Sequence, residues 1–176
     1  MVLDPKLLHP SFDYDFTNMV DDGTQYMRGG KVYQRPYGWK RIALKVIGKY
    51  EDGDWLGPRG IRKGSSNKEW PVSYHGTEKR FGKSIADEGY DVSKCKNIVH
   101  GKGIHSSPSI AIAERYATEF YYGKDTLKVV MQNRVKDENL TIIPAIKCHE
   151  SDEYWVQPND NQSRSPTYLS YSRRYW

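Results

Sequence analysis

Three short segments carry residues able to do chemistry beside glycine or at the head of a strand. In Tyr74-His75-Gly76-Thr77 a histidine precedes a residue without a side chain. Backbone N–H and C=O can approach a planar ligand closely there, imidazole can hold a sugar hydroxyl, and Thr77 is placed to cap a following helix. In Gly101-Lys102-Gly103-Ile104-His105-Ser106-Ser107-Pro108 two glycines precede a ring, and Tyr116 follows on the next helix. The third segment, Asp152-Glu153-Tyr154-Trp155-Val156, sets a carboxylate before an aromatic strand. Taken singly, each has a plainer reading: a satisfied surface histidine, a loop before a helix with a core tyrosine, a solvated edge charge.

The elements that must position these residues are short. Residues 1 to about 35 read as an N-terminal arm with Pro5, Pro10, an acidic and aromatic patch and the Gly29-Gly30 breaker. Residues 36–176 read as a single catalytic domain. Strands are expected at Trp39–Val46, Pro71–Tyr74, Leu127–Gln132, Glu153–Val156 and Tyr168–Tyr171, where apolar and aromatic residues cluster or alternate. A helix is expected from Thr77 to about Glu88, with Phe81, Ile85 and Ala86 on its inner face and Gly89 closing it. A second opens at Ser107-Pro108 and runs through Ala113 and Tyr116 to Phe120. Short strands mixed with two helices predict an α+β fold with a mainly antiparallel sheet and flanking short helices.

Composition narrows the function classes. Aromatic residues make up 13% of the chain, too many for a disordered protein. The net charge of +5 tilts the chain towards polyanions. The start lacks the basic stretch and apolar run of a signal peptide, and no segment is apolar over a bilayer-spanning length. A soluble protein of the cytoplasm or nucleus is therefore expected. Cys95, His100, His105, Cys148 and His149 lack the spacings of zinc sites, so no metal is expected. Cys148 beside His149 makes a poor nucleophile–base pair, because neighbours on a strand point to opposite faces.

Together the three segments resemble the poly(ADP-ribose) polymerase and diphtheria-toxin branch of the ADP-ribosyltransferases, which carries a His-Tyr-Glu triad. The resemblance runs from about residue 70 to the C-terminus. His75 matches the histidine, His105 stands where the tyrosine would be, and Glu153 matches the glutamate. Tyr116 falls where polymerase members place a second ring against nicotinamide. Ala113 replaces a carboxamide-binding serine, for which Ser106, Ser107 or Ser109 can substitute. The resemblance implies a split antiparallel sheet and NAD as co-substrate. Glu153 and His105 would be catalytic, and His75, Gly76, Thr77, His105, Ser106 and Tyr116 would bind NAD.

That chemistry explains the residue types. Cleaving the nicotinamide–ribose bond develops positive charge on the sugar, which a carboxylate on a ribose hydroxyl stabilises. Stacked rings hold the departing nicotinamide, so binding energy is used at the transition state. With no room for chain-extending machinery, a monomer adding one unit is expected. Ser151 stands where arginine-modifying relatives place Glu or Gln, which points away from arginine as acceptor. Size and basicity are similar to those of the DNA-guanine ADP-ribosylating proteins of clams. Basic residues at Arg59, Arg62, Lys63 and Lys68, and at Arg164, Arg173 and Arg174 among Tyr168, Tyr171, Tyr175 and Trp176, fit a nucleic-acid acceptor, DNA before RNA. A protein acceptor, or a module that binds NAD or ADP-ribose without turning it over, is the alternative.

Overall fold

The segment Leu127-Lys-Val-Val-Met lies within an eleven-residue strand that organises the molecule. In the computed structural model, residues 4–50, 52–60, 67–95, 101–144 and 153–173 are described, with the backbone alone at 59 and 168–173. The elements are β1 (Tyr14–Asp15), β2 (Tyr26–Arg28), β3 (Lys31–Tyr33), β4 (Lys40–Ala43), β5 (Val72–Gly76), α1 (Lys79–Glu88) and β6 (Ile104–Ser106). They continue with α2 (Ile110–Tyr116), β7 (Phe120–Tyr122), β8 (Asp125–Val135), β9 (Thr141–Ile143), β10 (Tyr154–Gln157) and β11 (Ser163–Arg173).

The larger sheet has the order β1-β4-β11-β8-β5, with β7 also paired to β8. A second sheet, β6-β10-β9, and a hairpin, β2-β3, complete the fold. Every strand pairing named here is antiparallel, so the chain is α+β as expected. The two larger sheets meet at a bridge between Tyr74 and Ser107.

Successive residues of β8 serve opposite faces. Val129 and Met131 pack with Leu44, Val46, Trp55, Leu56 and Ala86 of α1. Val130 packs with Tyr33, Trp39, Val72, Tyr74, Ala113 of α2 and Ala117 just past its end. One helix thus covers each face of the sheet.

α1 begins at Lys79, with Glu78 at its N-cap and no side-chain cap bond. Thr77 does not cap it and is buried instead. Gly82 and Ala86 form the buried stripe, and small residues let the helix lie close to the sheet. Phe81 is therefore not on the inner face. It is 44% exposed, with the Arg80 guanidinium 4.5 Å from its ring. Gly89 ends the helix at φ 96°, a conformation costly for other residues.

α2 stops at Tyr116, short of the expected Phe120, because Phe120-Tyr121-Tyr122 leaves the helix to pair with Asp125-Thr126-Leu127. Aromatic residues opposite a strand fit a pleated surface better than a helix end. β8 also runs three residues past its expected end. Its polar continuation is buried: Arg134 donates to Glu69 at 2.7 Å, and the Asn133 Oδ1 accepts from Tyr90 at 2.9 Å. β11 holds Pro166 between Arg164 and Thr167, where the register shifts, the kind of place a strand tolerates proline.

Within the expected arm, residues 7–16 run along β4 and its continuation. Leu8 bridges Leu44, the Asp13 carboxylate accepts from the Ala43 N–H at 2.7 Å, and Phe16 is buried. β1 then pairs with β4, covering a strand edge that would otherwise be open.

Candidate functional site

His75 and Gly76 end β5 as expected, but their surroundings are protein. The His75 Nδ1–H donates to the carbonyl of His105 at 2.6 Å, which fixes its tautomer. The Tyr90 ring stands edge-on 5.4 Å away. Burial lowers the His75 pKa below the ordinary histidine value, the bond to His105 opposing the shift. A Cβ on Gly76 would lie 1.8 Å from the Ala113 carbonyl oxygen, so the close approach this glycine permits is made by α2. That corrects the expectation of a planar ligand on this side of Gly76.

His105 and Ser106 lie on β6, paired with Val156 and Trp155 of β10 respectively. The His105 Nε2–H donates to the Gly101 carbonyl at 2.9 Å, and Ser106 is buried. Tyr116, 55% exposed at the end of α2, shares a hydroxyl–hydroxyl bond of 2.9 Å with Tyr154. Strand alternation puts His105 on the same face of the small sheet as Tyr154 and Val156. The two rings expected to stack therefore border one face.

Glu153 faces the other way. Its Oε1 accepts from the indole Nε1–H of Trp155 at 2.7 Å, which sets the carboxylate on the Trp155 face. There it lines a cleft of about 570 Å³ together with Lys31, Gln34, Pro108, Ile142 and Trp155. The Lys31 ammonium lies 5.8 Å from the Trp155 ring and 3.8 Å from the Asp137 carboxylate. The cleft is of the size that takes small ligands and cofactors.

Ser107 links the two regions. Its backbone exchanges bonds of 2.7 and 2.9 Å with Tyr74, the residue before His75. Its hydroxyl donates to the Glu153 carbonyl at 2.9 Å. The backbones of the His75 and Glu153 segments are thus both held by one buried serine. The side chains of His105 and Glu153 nevertheless occupy opposite faces of the β6–β10 pair.

Lys31 and Gln34 went unnoticed in the sequence, and Trp155 reads there only as part of an aromatic strand. The available signal was Gly29-Gly30 between Tyr-Met-Arg and Lys-Val-Tyr, a hairpin pattern that puts two strands where an arm was expected. The basic groups expected to meet nucleic acid fare unevenly. Arg164 is 8% exposed, its guanidinium 4.1 Å from the Tyr50 ring, 4.5 Å from Trp70 and 5.2 Å from Trp55. It packs among these rings. Lys68 is paired with Asp54 at 3.2 Å. Arg62, Lys63, Arg174, Tyr175 and Trp176 lie outside the described residues, as do Ser151, His100, Cys148 and His149. The side chains of Arg59, Tyr168, Tyr171 and Arg173 lie outside them too.

No protein-family model matches the chain, and no curated protein matches it. Among the described residues no helix is long and apolar enough to cross a membrane.

Proposed function

We propose that the chain is a mono-ADP-ribosyltransferase that cleaves NAD and passes ADP-ribose to nucleic acid, a guanine base in DNA foremost. The observation that carries this reading is the Glu153 carboxylate, oriented by Trp155 Nε1 on the wall of a cleft of about 570 Å³. With Oε1 held by the indole, Oε2 is the oxygen for a ribose hydroxyl. Lys31, on the facing hairpin, supplies positive charge for the pyrophosphate of NAD. As the nicotinamide–ribose bond breaks, its electron pair leaves with nicotinamide and the sugar becomes cationic. The fixed carboxylate stabilises that charge without reorganising. A nitrogen lone pair of the acceptor then bonds to the ribose carbon, and the acceptor nitrogen loses its proton to water. The net charge of +5 supports a polyanionic acceptor.

A second reading rests on one specific observation, the separation of His105 from Glu153 by the plane of the small sheet. A protein so built binds NAD or ADP-ribose at the Glu153 cleft without assembling a triad, and does not turn it over. Incubation with NAD separates the two. Release of nicotinamide, lost in Glu153→Gln, supports transfer, whereas NAD binding with no release supports the binding module. Mass measurement of added DNA, RNA and protein then identifies the acceptor. Label on protein alone would exclude nucleic acid.

A further inference from the structure

We propose that a pocket of three arginines beneath the β2–β3 hairpin binds a phosphoryl group, either free phosphate or the terminal phosphate of a small ester. Arg28 of β2, Arg41 of β4 and Arg134 of β8 line a cavity of about 40 Å³ with Tyr33, Gln132 and Thr167. The three arginines come from different strands, so the cluster is a product of the fold and not of a basic run.

The charges around this cavity do not balance. Glu69 is the carboxylate paired with the cluster, and its Oε1 lies 2.7 Å from Arg134 Nη1 and 3.5 Å from Arg28 Nε. Among the described residues, three guanidinium groups against one paired carboxylate leave two positive charges in excess. Arg134 is 6% exposed, and its pKa is lowered, first by burial and further by Arg28, with Glu69 opposing. Arg41 donates from Nη2 to the Phe12 carbonyl at 3.2 Å, but its Nε is enclosed and has no partner among the described residues. An enclosed donor on a charged group is costly unless something accepts from it.

A phosphoryl group answers both needs. Its oxygens match the planar fork of guanidinium, and its charge offsets the excess. A cavity holds one water from roughly 10–15 Å³ upwards, so this one takes a group of several atoms but not a nucleoside. Tyr33 and Gln132 complete a polar wall: Gln132 donates to the Tyr33 hydroxyl at 3.2 Å, and Thr167 donates to Gln132 at 2.9 Å.

The same hairpin gives Arg28 and Tyr33 to this pocket and Lys31 and Val32 to the Glu153 cleft. An anion beneath it therefore pins the wall of that cleft. This inference stands on the arginines alone and does not need the transferase reading.

The test is thermal unfolding of the whole protein in inorganic phosphate, in methyl phosphate and in chloride at matched ionic strength. Phosphate at about ten times its Kd should raise Tm by about 3–5 °C over chloride. Calorimetry should give a saturable isotherm with a Kd in the millimolar range or tighter. Arg41→Gln and Arg28→Gln should each weaken binding at least about tenfold, the loss of one charge-assisted contact. The second variant changes a side chain that is 22% exposed, so it serves if the first does not fold. Methyl phosphate binding as well as phosphate assigns the site to an ester end, and phosphate alone assigns it to the free ion. Equal Tm in phosphate and chloride, or unaltered phosphate affinity in a folded variant, overturns the proposal.

Discussion

The carboxylate of Glu153 and the indole of Trp155 are joined at 2.7 Å across a single intervening residue, so the strand that Glu153 leads into also aims its charge. Trp155, on β10, is almost wholly buried. Rigid packing of the donor thereby becomes rigid placement of the acceptor. Glu153→Gln keeps the accepting oxygen and removes the charge. Nicotinamide release should fall about a hundredfold or more, as for loss of a preorganised contact, while the unfolding midpoint stays within error. Near-normal release in a folded variant would remove Glu153 from the chemistry.

Trp155→Phe separates aim from charge. The ring volume is largely kept and the N–H is lost, so the carboxylate stays in the cleft without its orienting donor. We expect kcat to fall about tenfold with KM for NAD little changed, which corresponds to about 1.4 kcal/mol of transition-state stabilisation. A rise in KM alone would mean that Trp155 shapes the cleft and does not act through Glu153.

The helix boundaries show how much of this architecture the sequence announces. Gly89 closes α1 in sequence and in structure, and β5 ends at His75-Gly76 as its apolar run implies. Local grammar sufficed because caps and strand ends are local. The failures are non-local. Arg134 lies past the expected strand end at Gln132 and joins β8 where Glu69 is brought against it, and Arg164 reads as a nucleic-acid ligand until three rings surround it. Phe81 reads as core because Phe usually is, yet Gly82 and Ala86 make the closer-packed face. The segments of His75, His105 and Glu153 were legible as short extended stretches. Their facing was not, because the face of Glu153 is set by its bond to Trp155.

Gly76→Ala tests the close packing behind β5. A methyl group there would meet the Ala113 carbonyl at 1.8 Å, and both backbones are held in regular structure. Overpacking of this kind should destabilise the fold by about 1–3 kcal/mol, read from urea unfolding. Unchanged stability would mean that α2 can slide along the sheet.

His75 should give stability a pH dependence of known sign. Burial depresses its folded pKa, so the unfolded chain binds the proton more readily. Stability is fully present above the unfolded histidine pKa of about 6.5 and is lost as pH falls through the lower folded value. Urea midpoints should decline from neutral to mildly acidic pH, and His75→Asn should flatten that decline. A wild-type profile already flat over this range, or one unchanged by the substitution, would mean that His75 titrates as it does in the unfolded chain.

Arg164→Ala distinguishes packing from phosphate binding at the residue whose role the structure changes most. Its guanidinium lies within 5.2 Å of the ring centroids of Tyr50, Trp55 and Trp70, and its Nε donates to the Asn161 carbonyl at 3.0 Å. Removing it deletes contacts between a desolvated cation and rings together with a buried stem, so stability should drop by about 2–4 kcal/mol. A phosphate ligand behaves differently: its loss weakens polyanion binding and reduces the slope of log affinity against log salt by about one. For Arg164→Ala, kept folded at low temperature, that slope for a DNA oligonucleotide should equal the slope of the wild type. A stable variant with a shallower salt slope would return Arg164 to the nucleic-acid surface and leave the three rings without their central cation as a structural requirement.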